Sequence, residues 1–227
     1  CKKEQIIHIL PPYSGSVRLA DFEVALQKAT GMGVSIKEIL ESLSPGTMLI
    51  IHDLELWWER SLNGWDVVRL LVQLINTHGQ QCLFVVNVNP LAFGIMNRLE
   101  QLQDSFIAVI PLHPFNSMEL QELVLRRHRS SAMKFNLHKR DEGRITEIRL
   151  ARLFNRYFDY SEGNPGTTLK AWLVNISKVS GKQLTIEVPR LPDTNFMAQM
   201  EEDWKVILMQ LLLHKRMSNE RVARLIY

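Results

Sequence analysis

The stretch TMLIIHDLELWWERS, Thr47–Ser61, runs from an apolar segment through His52 into a carboxylate, Asp53, with a second, Glu55, two positions on. An acid at the end of a buried strand is unfavourable unless something holds its charge. A second apolar run, Gln81–Asn89, ends in Asn87 and Asn89, and a helix opening GNPGTTLKAW carries Lys170. One carboxylate to hold Mg²⁺ through its water shell, a second to orient an attacking water, and polar and basic groups to read a terminal phosphate are the parts that nucleotide hydrolysis needs. Asp53 is the candidate metal and catalytic acid, Glu55 the second catalytic acid, and Asn87, Asn89 and Lys170 the candidate phosphate-side contacts.

These residues need a scaffold that brings strand ends together. QIIHIL (Gln5–Leu10), TMLII and QCLFVVNVN read as strands, the last two as continuous apolar runs typical of a parallel sheet. Between them lie helices with their own punctuation. Gly31 stops the first, Ser35 and Glu38 form a capping box for the second, Gly79 closes a third over Asn63–Gly79, and Pro90 opens a fourth. SFIAVIPL reads as a fourth strand. Alternation with short connections predicts an α/β fold with a parallel three-layer sheet over residues 1–112, and ligands in such sheets bind beyond the carboxyl ends of the strands.

After Pro114 the pattern reads as helices. Asn116 or Ser117 caps one, ITEIRLARLFNRYFDYS is amphipathic, and Asn164–Pro165 opens a helix expected to run to Gly181. The expected organisation is an α-helical lid over 113–181, a linker with one short strand over 182–198, and two further helices over 199–227 joined at Met217–Ser218. SSAMKFNLHKRDEGR reads as a loop or loose hairpin.

The bulk numbers narrow the classes. Over 227 residues the net charge is +3, with acidic and basic residues nearly matched. The basic stretch from Arg126 to Arg156 lacks the aromatic interleaving of a stacking surface, so nucleic acid is the less favoured partner. Cys1 and Cys82 have no metal-type spacing and read as reduced thiols of a cytoplasmic protein. The histidines form no zinc pattern. No apolar run approaches the roughly 18 residues of a membrane span, and no signal peptide is visible. The chain opens on Cys1 and enters a strand almost at once, which reads as part of a longer protein.

The order of an apolar strand with acids, a strand with Asn, IPLHPFNSMELQELVLRRH and then GNPGTTLKAWL resembles P-loop ATPases of the AAA+ and STAND type, origin-recognition-like, over about Gln5 to Gly181. The resemblance implies a Walker B strand at Asp53, a sensor-1 strand at Asn87 or Asn89, a sensor-2 helix bearing Lys170, and a partial winged-helix-like end. It also implies ATP and Mg²⁺ as cofactors, and protein partners or self-association. The departures are specific. GxxxxGK[ST], whose backbone N–H groups and Lys cradle phosphates, is absent from this sequence; it lies upstream, or the protein never had one. With Asp53 in the metal position, Leu54 stands where the catalytic acid is expected; with the register moved by one, His52 takes the metal position. EQLQDSF lacks the expected arginine finger, and Arg98 lies too early.

Plainer readings stand beside these. Asp53 and Glu55 would also serve as a cap and a surface acid, Asn87 and Asn89 as loop residues before Pro90, and Lys170 as a solvated helix lysine. Trp57 and Trp58 read as packing residues, although two adjacent tryptophans on a helix cannot both face the core. The functional expectation is an ATPase part that couples nucleotide state to conformational change or assembly; the alternative is a non-catalytic adaptor on the same scaffold, making protein contacts through Trp57–Trp58.

Overall fold

The computed structural model describes residues 5–137, 140–191 and 193–226. Cys1, and His138 and Lys139 of the basic stretch, lie outside the described residues. The chain forms two compact units, one of residues 1–110 with 199–227, the other Pro111–Ala198.

The first unit is α/β. Strands β1 (Ile6–Ile9), β2 (Thr47–Ile51) and β3 (Cys82–Val86) form a parallel sheet in the order β1-β2-β3. Ile7 pairs with Leu49 and Leu49 with Phe84, so one row of side chains crosses all three strands. That face, with Ile9 and Ile51, packs against helices α1 (Leu19–Thr30), α2 (Ile36–Ser42), α3 (Asp66–His78) and α4 (Pro90–Glu100). The other face carries Ile6, His8, Leu83 and Val85, which are exposed. Continuous apolar runs predict burial on both faces; here the described helices line one face, and the strands bury their side chains in alternation.

Local chemistry sets the boundaries. Gly31 ends α1 at φ 73°, a left-handed turn that suits glycine. Ser35 and Glu38 exchange the hydrogen bonds of a capping box. SFIAVIPL is not a strand. No described strand lies beside it to complete a ladder, and Ile107, Ile110 and Leu112 are fully or largely exposed. The outer edges of β1 and β3 pair with no described strand, so strand propensity in this stretch is not matched by a neighbour and does not make sheet. The unit is completed by α8 (Glu202–His214) and α9 (Asn219–Ile226).

The second unit holds α5 (Ser117–Ser130), α6 (Glu147–Ser161) and α7 (Pro165–Val174). It also holds a four-stranded mixed sheet: β4 (Lys134–Leu137), β5 (Arg140–Asp141), β6 (Ile176–Ser180) and β7 (Gln183–Ile186), ordered β5-β4-β7-β6. The antiparallel pair β4–β5 lies in the stretch read as a loop or loose hairpin and β7 is the one short strand expected over 182–198, whereas β6 was expected as helix. The helix expected to reach Gly181 stops at Val174. Asn175 ends it, and the β-branched Ile176 and Val179 enter a hairpin with Gly181 at φ 57°. Phe135, Phe154, Tyr157 and Trp172 fill this core.

Candidate functional site

The carboxyl ends of β1, β2 and β3 are joined by a line of polar groups. The Asp53 N–H donates to Asn87 Oδ1 at 2.6 Å. Asn87 is thereby oriented with its amide nitrogen toward His52, and Nδ2 lies 3.0 Å from His52 Nδ1. His52 must then accept at Nδ1 and donate from Nε2, which lies 2.9 Å from His8 Nδ1. Each of the three strands contributes one member. Asp53 itself sits at φ 49° and ψ 60°, a left-handed backbone that Asp tolerates better than most residues.

Asp53 and Glu55 converge on one cation. Lys215 Nζ donates to Asp53 Oδ1 at 2.8 Å and lies 2.7 Å from Glu55 Oε1, the second contact out of line for a directed hydrogen bond. Glu55 is wholly buried, with its other oxygen accepting the Asn89 N–H at 2.9 Å. Burial works against the Lys215 ammonium, but its contacts with Asp53 and Glu55 outweigh that and hold its pKa above the ordinary lysine value. Asn89 is fully engaged: Oδ1 caps α4 at Leu91 N, and Nδ2 donates to the Leu212 carbonyl at 2.7 Å.

Helices α8 and α9 clasp this edge by further contacts. His214, fully buried, places Nδ1 2.6 Å from the Glu55 carbonyl, so Nδ1 carries the proton. Burial lowers its pKa despite that hydrogen bond. Arg216 donates to the Tyr13 carbonyl and lies over the Tyr13 ring. Arg221 pairs with Glu59 at 3.0 Å and donates to the carbonyls of Trp58 and Ser14. For Glu59, burial alone would raise the pKa; the Ser61 hydroxyl with Arg221 and Arg224 outweighs it and leaves the carboxyl below its usual range.

The structure therefore gathers Asp53, Glu55, Asn87 and Asn89 at one edge. Lys170 belongs to the second unit, exposed on α7. Trp57 and Trp58 are both wholly buried, because they follow the short 3₁₀ turn Leu54–Leu56 instead of lying on a helix. Trp57 meets Phe22 edge-on, and Trp58 meets Trp65 and His214. Sequence reasoning missed Lys215, His214, Arg216 and the Glu59–Arg221 pair. HKR at 214–216 had no pattern that tied it to acids some 160 residues earlier.

The residues fit a divalent cation in part. Two hard carboxylate oxygens within reach of one point are suitable Mg²⁺ ligands, and Lys215 Nζ stands at that point. They do not fit the phosphates of a nucleotide as they stand, since no GxxxxGK[ST] is present and the Nδ2 donors of Asn87 and Asn89 are engaged by His52 and the Leu212 carbonyl. Among the described residues no helix is long and apolar enough to cross a membrane.

No protein-family model matches the chain, and no curated protein matches it in sequence. Among solved structures it is similar to RuvB of Thermotoga maritima. Two mutants of that protein each align at 13% identity over 93% of this chain and 70% of theirs, with TM-scores of 0.44 and 0.43. RuvB described as a Holliday junction branch migration motor aligns at 18% identity over 77% of this chain and 63% of its own, with a TM-score of 0.34.

Proposed function

We propose that this chain is part of an AAA+/STAND-type ATPase that couples ATP binding and hydrolysis to conformational change or assembly. One observation carries the reading: two acids at the carboxyl end of a parallel strand converge on a single cation position, at 2.8 and 2.7 Å from the Lys215 ammonium. In this reading Asp53 and Glu55 serve Mg²⁺ and the attacking water, Asn87 and Asn89 reach the phosphate side only on releasing His52 and the Leu212 carbonyl, and Lys170 is the lid sensor. It requires a phosphate cradle that these 227 residues do not contain, so the chain by itself is expected not to bind Mg-ATP tightly. Micromolar binding by calorimetry would contradict that expectation. In the full-length protein, Asp53→Asn is expected to abolish ATP turnover with the circular dichroism spectrum unchanged. Undiminished turnover removes Asp53 from the site. Protein partners or self-association, and work in the cytoplasm, follow from the same reading.

A second reading draws on Lys215 itself. An ammonium held between both acids takes the cation's place, as in a non-catalytic regulatory domain on the same scaffold. Such a domain would make its contacts elsewhere than Trp57–Trp58, which are buried. Divalent-cation binding by the native chain separates the two: measurable Mn²⁺ binding lost in Asp53→Asn favours the first, and none favours the second.

A further inference from the structure

Charge is unevenly spread along this chain. Residues 111–198 carry fourteen Lys and Arg against nine Asp and Glu, so the positive balance of the whole chain comes from the second unit. Four of those fourteen line one cavity of about 630 Å³: Arg149, Arg152 and Arg156 from α6, and Arg140 from β5. Its apolar wall includes Leu137, Leu153 and Val188, and Asp159 is the one acid in the lining.

The arrangement on α6 is costly without a counter-ion. At 3.6 residues per turn, Arg149, Arg152 and Arg156 fall within about 60° of one helix face and span about 10 Å along it. They are i,i+3 and i,i+4 neighbours, where like charges repel. Among the described residues none of the four arginines has a carboxylate within ion-pair distance. Leu153, between two of them in sequence, is buried in the core and fixes which way the stripe faces.

We propose that this cavity binds a phosphorylated small anion, its phosphates on the α6 arginines and Arg140 and its body on the apolar wall. The volume lies inside the range of about 300–1,000 Å³ typical of small-molecule sites. Guanidinium forks engage phosphate oxygens in bidentate pairs, and several of them around one compact space suit concentrated charge. The same chemistry comes from a free nucleotide or from the terminal phosphate of a nucleic acid strand. The site does not depend on the reading of Asp53 and Glu55.

The test is calorimetry on the 227-residue chain with pyrophosphate, ADP, and a short oligothymidylate with and without a 5′-phosphate. Binding of at least one probe at millimolar concentration is expected. Arg152→Gln with Arg156→Gln should weaken it by about ten-fold, the loss of two charge-assisted contacts. Lys178→Gln with Lys182→Gln removes the same charge from the same unit at exposed positions outside the cavity and should change it by less than about two-fold. ADP binding more tightly than pyrophosphate supports a free nucleotide; oligothymidylate binding only when 5′-phosphorylated supports a strand end. No heat with any probe, or equal loss in the lysine and arginine variants, overturns the proposal. All four substituted side chains are exposed, so the variants are expected to fold, and circular dichroism checks this.

Discussion

Lys215 holds Asp53 at 2.8 Å across 162 residues of sequence, and both residues have positive φ, 58° and 49°. Left-handed backbone in a residue other than glycine costs roughly 1–3 kcal/mol and persists where the surroundings over-determine it. Here the surroundings are each other. Lys215 ends α8 at the point where its ammonium meets both acids, and the Asp53 backbone is pinned from the far side by Asn87. The acid edge and the C-terminal helices are one electrostatic object.

Lys215→Met tests that coupling. It leaves buried Glu55 without a counter-charge. Breaking a fully buried pair costs about 3–5 kcal/mol. Lys215 is 46% exposed at its side chain, so water screens the remainder and a loss of about 2 kcal/mol is expected. Urea denaturation measures it. Added Mn²⁺ should stabilise the variant more than the native chain, where the Lys215 ammonium competes for the same position. Equal stabilisation of both would mean that Lys215 and the metal do not compete.

The Glu59–Arg221 pair is more deeply buried, with side-chain exposures of 2% and 5%. Arg221→Met leaves buried Glu59 with only the more exposed Arg224, at 3.1 Å, and strips the Trp58 and Ser14 carbonyls of a donor; it should cost about 3 kcal/mol in denaturant, more than Lys215→Met. The pH dependence has a definite sign. Glu59 has its pKa lowered on folding from a reference of 4.5, so its contribution is complete above that value and is lost as pH falls below it. Glu59→Gln should flatten the acid limb of the stability curve there.

Much of this was legible in the sequence, and the failures share a cause. Strands at 5–10, 47–51 and 81–89 announced themselves by apolar runs, and helix starts by Ser35–Glu38, Pro90 and Asn164–Pro165, because caps and turns are local chemistry. Asp53, Glu55, Asn87 and Asn89 were legible because strand ends in a parallel sheet face one edge. SFIAVIPL failed because a strand is defined by its neighbour. Strand β6 failed because LVNISKVSG continues an apolar pattern past the true helix end, although its partner β7 lies where one short strand was expected. Lys215, His214 and Arg221 were invisible as site residues: nothing local links them to acids contributed by a strand end far up the chain.

His214 makes a separate prediction. Burial holds its pKa below the ordinary value of 6.5, and its Nδ1–H is committed to the Glu55 carbonyl. The unfolded chain therefore binds a proton more readily than the folded one. Stability is complete above about pH 6.5 and declines as pH falls below it. His214→Asn keeps a donor near the Nδ1 position and removes the titration. Its unfolding midpoint should be lower than that of the native chain at neutral pH, through lost packing on Trp58, yet flatter between neutrality and the onset of carboxylate titration. Parallel curves for the two proteins would exclude His214 as the source of the slope.

The backbone at Asp53 gives the most discriminating substitution series. Its φ of 49° is left-handed, a region open to glycine, tolerated by Asp and Asn, and strained for Ala by roughly 1–2 kcal/mol. Asp53→Asn retains the amide oxygen for Lys215 and the N–H for Asn87, so it should be the most stable of the three variants. Asp53→Gly loses the side-chain contact but relieves the strain. Asp53→Ala loses the contact and keeps the strain, and should fall below Gly by about 1 kcal/mol in urea, despite glycine's greater chain entropy. That order reverses the one expected at an ordinary exposed position. An alanine variant as stable as the glycine one would mean that Asp53 is free to leave the left-handed region, and with it that the hydrogen bond from Asp53 N–H to Asn87 does not hold the acid in place.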